Sequence, residues 1–152
     1  MEPAVVANWH IKKIAIINGV IMANGFVHEF AALDQPRNLP TRLRSVGSFN
    51  VDEKEDISWT SAMVSDRVED HKLNIAAICG ECGMGSDGFV AVVGLEDSQP
   101  LKWVAFFDFS NPFERIAFSG GDVVCLNNLD ERWTFSLKEP WRILIENSIK
   151  EK

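Results

Sequence analysis

Positive charge is in short supply in this sequence. Its 152 residues carry 15 Lys and Arg against 22 Asp and Glu, for a formal charge of −7. Phosphate contact needs a basic face, so nucleic acid is not an expected partner. Cysteine is scarce too: Cys79, Cys82 and Cys125 are an odd number without framework spacing. That argues against a disulfide scaffold and for free thiols in a reducing compartment. Long apolar runs are missing. Ile14 to Val27, after Lys12-Lys13, comes nearest, but Asn18-Gly19 and Asn24-Gly25 interrupt it and His28-Glu29 ends it. A secretory leader has a continuous apolar stretch and a spanning helix needs about 20 such residues. Neither is expected, and a cytoplasmic location is. Repeats, low-complexity segments and linkers are also lacking, so residues 1–152 are expected to form a single globular domain.

Local catalytic motifs are equally thin. There is no G-x-S-x-G elbow, no H-E-x-x-H and no Walker A lysine motif. His10, His28 and His71 lie on separate segments, and the carboxylate pairs Glu96-Asp97 and Asp130-Glu131 fall at predicted turns, where solvated acids are expected. No enzymatic activity is expected from these patterns.

What is abundant is apolar and aromatic: 46% hydrophobic residues, ten Phe and five Trp, with no Tyr. Asn-Gly favours tight turns, because both residues tolerate positive φ. Ile14–Ile17, Val20–Ala23 and Phe26–Phe30 therefore read as short extended segments, and Arg42–Val51 as a loosely alternating strand. Trp59, Ala62, Met63 and Val68 form an incomplete helical stripe opposite Asp66, Arg67, Glu69 and Asp70, with Asp56 or Ser58 as a cap. A helix is predicted over about Ile57–Asp70. Beyond it, Leu73–Cys79, Phe89–Leu95 and Leu101–Phe109 read as strands. A hairpin is predicted from Glu114–Phe118 and Asp122–Leu126 around Gly120-Gly121, followed by Arg132–Leu137 and Trp141–Ile145. The expected fold is α+β, mainly an antiparallel β meander with one principal helix near residues 57–70. Alternation assigns Trp103, Ala105 and Phe107 to one sheet face and Val104, Phe106 and Asp108 to the other, so this strand is expected to be covered on both sides.

Gly83-Met84-Gly85-Ser86-Asp87-Gly88 is a literal G-x-G-x-x-G, with Asp108 twenty residues further on. A dinucleotide site would need a helix after the last glycine, to set its N-terminus against the pyrophosphate. Phe89-Val90-Ala91-Val92-Val93 suits a strand instead. The loop is therefore read as a connection between antiparallel strands, and a small-ligand or nucleotide site over 83–88, with Asp87, Asp108 and His71 nearby, is the alternative. Cys79-Gly80-Glu81-Cys82 lacks the helix start that activates a redox C-x-x-C. Zinc would have to recruit Cys125 and a histidine. No cofactor and no metal are expected.

Charge is unevenly spread. Residues 1–50 sum to +2 and residues 51–152 to −9. Asp52, Glu53, Glu55 and Asp56, ahead of the predicted helix, and Asp66, Glu69 and Asp70 along it are the candidate contact residues for a basic partner. The competing reading is an ordinary solvated face.

The stretch Cys79–Val90, with Trp103-Val104-Ala105-Phe106-Phe107-Asp108-Phe109-Ser110-Asn111-Pro112-Phe113, Asn127-Asn128-Leu129 and Arg132-Trp133-Thr134-Phe135, resembles small bacterial immunity proteins. Those proteins accompany secreted toxins in contact-dependent inhibition and related competition systems. The likeness runs from about Asn74 to Leu137 and is one of style, an acidic domain with an Asn-Pro turn and a Trp/Phe meander. The family shares no catalytic motif, and the first 50 residues add nothing to the likeness. The resemblance implies stoichiometric binding to a cognate toxin domain, basic and nuclease-like, whose cleft an acidic surface occludes.

Overall fold

The structure is a computed structural model that describes residues 2–36 and 38–148. A six-residue helix, α1 (Ala4–Trp9), comes first. The strands that follow are β1 (Lys13–Ala15), β2 (Gly19–Met22), β3 (Phe26–Leu33), β4 (Arg42–Asn50), β5 (Trp59–Ser61) and β6 (Met63–Asp70). The second half holds β7 (Ile75–Glu81), β8 (Gly88–Gly94), β9 (Leu101–Phe107), β10 (Phe113–Ser119), β11 (Asp122–Asn127), β12 (Glu131–Ser136) and β13 (Ile143–Asn147).

All pairings are antiparallel. Seven strands form one sheet in the order β4-β3-β2-β9-β8-β7-β6, four form a second in the order β10-β11-β12-β13, and β1 pairs with β5. Most neighbours in the sheets are neighbours in sequence, as a meander requires. The exceptions are β1 with β5 and β2 with β9, the latter placing Gly19 opposite Phe106.

The large sheet is covered on both faces. On one side Val20, Ala77, Val90, Trp103, Ala105 and Phe107 pack against Phe113, Val123, Trp133 and Phe135 of the four-stranded sheet. On the other, Ile21, Ala76, Phe89, Ala91, Val104 and Phe106 meet Val5 and Trp9 of α1, Ile14 of β1 and Val51. Successive residues of β9 thus enter two different cores, and β8 is buried at all seven positions for the same reason. The expected two-sided central strand is present, although Asp108 lies just past its end and is exposed.

The predicted helix over 57–70 is not formed. Those residues supply β5 and β6, and the only α-helix among the described residues is α1. Val64, Val68, Thr60 and Trp59 favour extended backbone, and the apolar stripe has no member at helical spacing between Met63 and Val68. Pairing with β7, from Met63 opposite Glu81 to Asp70 opposite Ile75, gives residues 63–70 a ladder on one side, interrupted by one bulge at Ser65. The fold is therefore mainly antiparallel β with one short helix. No helix among the described residues is long and apolar enough to cross a membrane.

Candidate functional site

The strand geometry divides the seven candidate acids. On β6, side chains alternate, so Asp66 and Asp70 share the face of Val68 while Glu69 points with Arg67 to the other. Asp66 reaches across to the second sheet, where its Oδ2 accepts the Ile116 N–H at 3.0 Å. Asp70 Oδ1 accepts the Leu73 N–H at 3.0 Å and closes the β6–β7 turn. Glu69 is paired with Arg67 at 3.1 Å and with His71 at 3.0 Å. These three acids hold the edge strand and its turn together, and the single helical face expected for them does not exist.

The other four lie in the β4–β5 connection, where Val51–Glu53 form a 3₁₀ turn. Asn50 Oδ1 accepts the Asp52 N–H at 2.9 Å, and Asp52 Oδ1 accepts the Ala4 N–H at the start of α1, also at 2.9 Å. Asp52 is thus a structural anchor. Glu53, Glu55 and Asp56 are exposed, and among the described residues none of the three forms an ion pair. The one cation in the run, Lys54, has its Nζ 4.6 Å from the centre of the Phe49 ring. A connection fixed at one end by Asp52 and Asn50 therefore carries three exposed carboxylates within four residues of chain.

The glycine-rich loop joins β7 to β8, two antiparallel neighbours, and no helix follows it. Asp87 is fully buried inside the loop. Its carboxylate accepts the N–H of Cys82 at 2.9 Å and those of Gly83 and Met84 at 3.3 Å each. Backbone amides converging on an anion make the kind of cradle that holds phosphate, but here the chain supplies the anion itself. Ser86 Oγ donates to the Asp108 carbonyl at 2.8 Å, and the Asn111 N–H donates to the Ser86 carbonyl at 2.8 Å. Gly88 packs so closely on this turn that a Cβ there would lie 2.5 Å from the Asn111 carbonyl oxygen. Alanine has no room at that point.

All three cysteines are free and buried. Burial, with Asp66 beside Cys79 and Asp87 beside Cys82, pushes both thiols up to about 12, and burial pushes Cys125 well up too. None is a thiolate nucleophile near neutral pH. Among the described residues no three His, Cys, Asp or Glu side chains come together as metal ligands. His28 stacks on the Trp141 ring at 4.2 Å, and its burial lowers its pKa. These raised thiols make stability pH-dependent. Unfolded thiols ionise near 9.0 while the folded Cys79 and Cys82 stay protonated to about 12. Stability owed to them is intact below the lower value and falls through that window by up to about 1.4 kcal/mol per pH unit for each thiol. Urea melts between pH 8 and 11 should show the decline, and a Cys82→Ala variant a shallower one.

Sequence reasoning placed Glu131 in a solvated turn beside Asp130. Asp130 is exposed, but Glu131 is only 5% exposed. The signal was available: Glu131, Trp133 and Phe135 sit at period two on β12, and all three point inward. Asp87 had no comparable pattern, because its role depends on how a loop closes. Compared with known proteins, the chain matches no family model, no curated protein and no solved structure.

Proposed function

We propose that this chain is a binding protein without activity of its own, which neutralises a basic, nuclease-type bacterial toxin domain by stoichiometric association. The observation that carries this reading is the exposed run Glu53, Glu55 and Asp56, three carboxylates without an ion pair among the described residues. Hydrogen bonds through Asp52 and Asn50 tie the start of this run to α1 and to the 3₁₀ turn. Such a fixed anionic loop steers a cationic partner toward itself and can plug a cleft built for phosphate. Excess acid over residues 51–152 acts in the same direction at longer range, and the resemblance to immunity proteins supplies the biological setting. Co-expression with basic nuclease-type toxin domains, starting from any encoded next to its gene, is the test, read as cell survival. In purified form, the triple reversal Glu53→Lys, Glu55→Lys and Asp56→Lys should slow association by about 10- to 100-fold at low salt. The gap should close as salt shortens the Debye length to about 3 Å near 1 M. Unchanged association at low salt would rule out this loop, and failure to protect the cell would remove the immunity reading.

A further inference from the structure

The two ends of the β-sandwich are finished differently. At the end that carries the glycine-rich loop, polar side chains latch the sheets together. Asn127 Nδ2 donates to the Ser110 carbonyl at 2.7 Å, and Asn111 Nδ2 donates to Asn128 Oδ1 at 2.9 Å. At the opposite end a cleft of about 790 Å³ opens between the sheets. Ile75, Val92 and Trp103 of the large sheet line one side of it, and Leu137 with the Gly120-Gly121 turn lines the other. This volume is in the range of pockets that enclose small organic molecules, and its walls are mainly apolar.

Two features mark the cleft as more than a packing fault. Trp103 is 2% exposed, yet its indole Nε1–H has no hydrogen-bond acceptor among the described residues. The other large indole of the same core, Trp133, donates to Glu131 Oε1 at 3.0 Å. Buried donors are nearly always satisfied, so this N–H, on a residue that lines the cleft, is open to an acceptor from outside the chain, whether a water or a ligand that displaces it. Beside it, β9 is bulged. Its register passes from Val92 opposite Trp103 to Val93 opposite Leu101, leaving Lys102 without a partner on β8. A bulge re-aims side chains, and here both Lys102 and Trp103 line the cleft while Leu101 enters the opposite core. The rim carries Lys102 and Lys138 against one carboxylate, Asp122. In a chain of net charge −7, that mouth is locally cationic.

We propose that this cleft is a binding site for a small amphipathic organic anion. Its apolar body lies between the sheets against Val92 and Leu137, an acceptor oxygen takes the Trp103 indole N–H, and its charge sits near Lys102 and Lys138. Entry of the acceptor requires a small outward shift of the side chains that now enclose Nε1.

Octanoate and its uncharged counterpart octanol are suitable probes, read through the indole ¹H–¹⁵N resonances of the full chain. The Trp103 resonance is assigned by its loss in Trp103→Phe. Octanoate should shift that resonance saturably, with one site per chain. Octanol should bind roughly fivefold to tenfold more weakly, as expected for two exposed charge contacts. Lys102→Glu with Lys138→Glu, both at exposed positions, should erase that preference. A Gly121→Phe variant adds a ring to the turn that lines the cleft and should weaken the shift, and because a Cβ at Gly121 meets nothing within 4 Å the substitution has room. A Trp103 resonance that stays put at saturating octanoate would overturn the proposal. So would an undiminished shift in Gly121→Phe, or equal affinity for octanoate and octanol.

Discussion

Replacing Glu131 with alanine is expected to lower the stability of the fold by about 3–5 kcal/mol, measured by urea denaturation. The carboxylate is a four-way junction. Oε2 accepts the Thr41 N–H at 2.7 Å and the Thr41 hydroxyl at 2.8 Å, while Oε1 accepts Asn127 Nδ2 and Trp133 Nε1 at 3.0 Å each. Among the described residues no cation pairs with it, so these donors are what make its burial tolerable. Alanine strands three N–H groups at once, two of them on the buried residues Asn127 and Trp133, and each stranded donor costs about 1–3 kcal/mol. Glutamine is the informative control. Its carbonyl can still serve Asn127 and Trp133, but its amide then faces the Thr41 N–H as one donor to another. The loss for Glu131→Gln should be about 1–2 kcal/mol, with faster hydrogen exchange at Thr41 and little change at Trp133. A loss below about 1 kcal/mol for alanine would mean that water replaces the carboxylate.

Asp87→Ala comes next, with an expected loss of about 2–4 kcal/mol. The carboxylate is fully buried and takes three consecutive amides, those of Cys82, Gly83 and Met84. Bonds from neutral donors to an ionised acceptor are stronger than those between neutral groups, and here one side chain organises the whole turn between β7 and β8. Asparagine keeps one acceptor oxygen but turns an NH₂ toward the remaining amides, so Asp87→Asn should recover only part of the loss. Because the loop abuts Gly88 and Asn111, the damage should spread to the β8–β10 approach. Equal stabilities of wild type and Asp87→Ala would show that the amides are satisfied without the carboxylate.

Both residues illustrate what could and could not be read from the chain. The strands were legible where turn residues (Asn-Gly, Gly-Gly, Asn-Pro, single glycines and prolines) bounded an apolar run. Predicted segments such as 20–23, 42–51, 89–95 and 101–109 overlap β2, β4, β8 and β9 to within a few residues. The two-sided burial of β9 followed from apolar residues at both parities. Residues 57–70 misled because β6 is an edge strand, where one sheet partner suffices and the exposed side carries charges that mimic a solvated helix face. Helix α1 has only six residues, too short for its own periodicity to register. Of the acidic candidates, those in the β4–β5 connection kept their exposure, except that Asp52 proved to anchor α1. Asp66 was drawn into contact with Ile116, fifty residues away, a partnership that no local pattern encodes. The cleft was invisible for the same reason, since its walls come from two different sheets.

The bonding of β2 to β9 has a consequence for how the chain comes into being. During synthesis β2, β3 and β4 emerge early, but the strand that completes their side of the large sheet ends at Phe107. At about 5–20 residues per second, the wait is on the order of ten seconds. Through that interval β2, β3 and β4 have only one another to pair with, and Val20, Ile21 and Val27, all later buried, lack the partners that cover them. The hairpins of β7, β8 and β9 can form from local contacts as they appear, and so offer a template onto which the waiting strands dock. Docking of β2 on β9 is therefore a late step, and the apolar faces of β2 and β3 stay uncovered until Phe107 has left the ribosome.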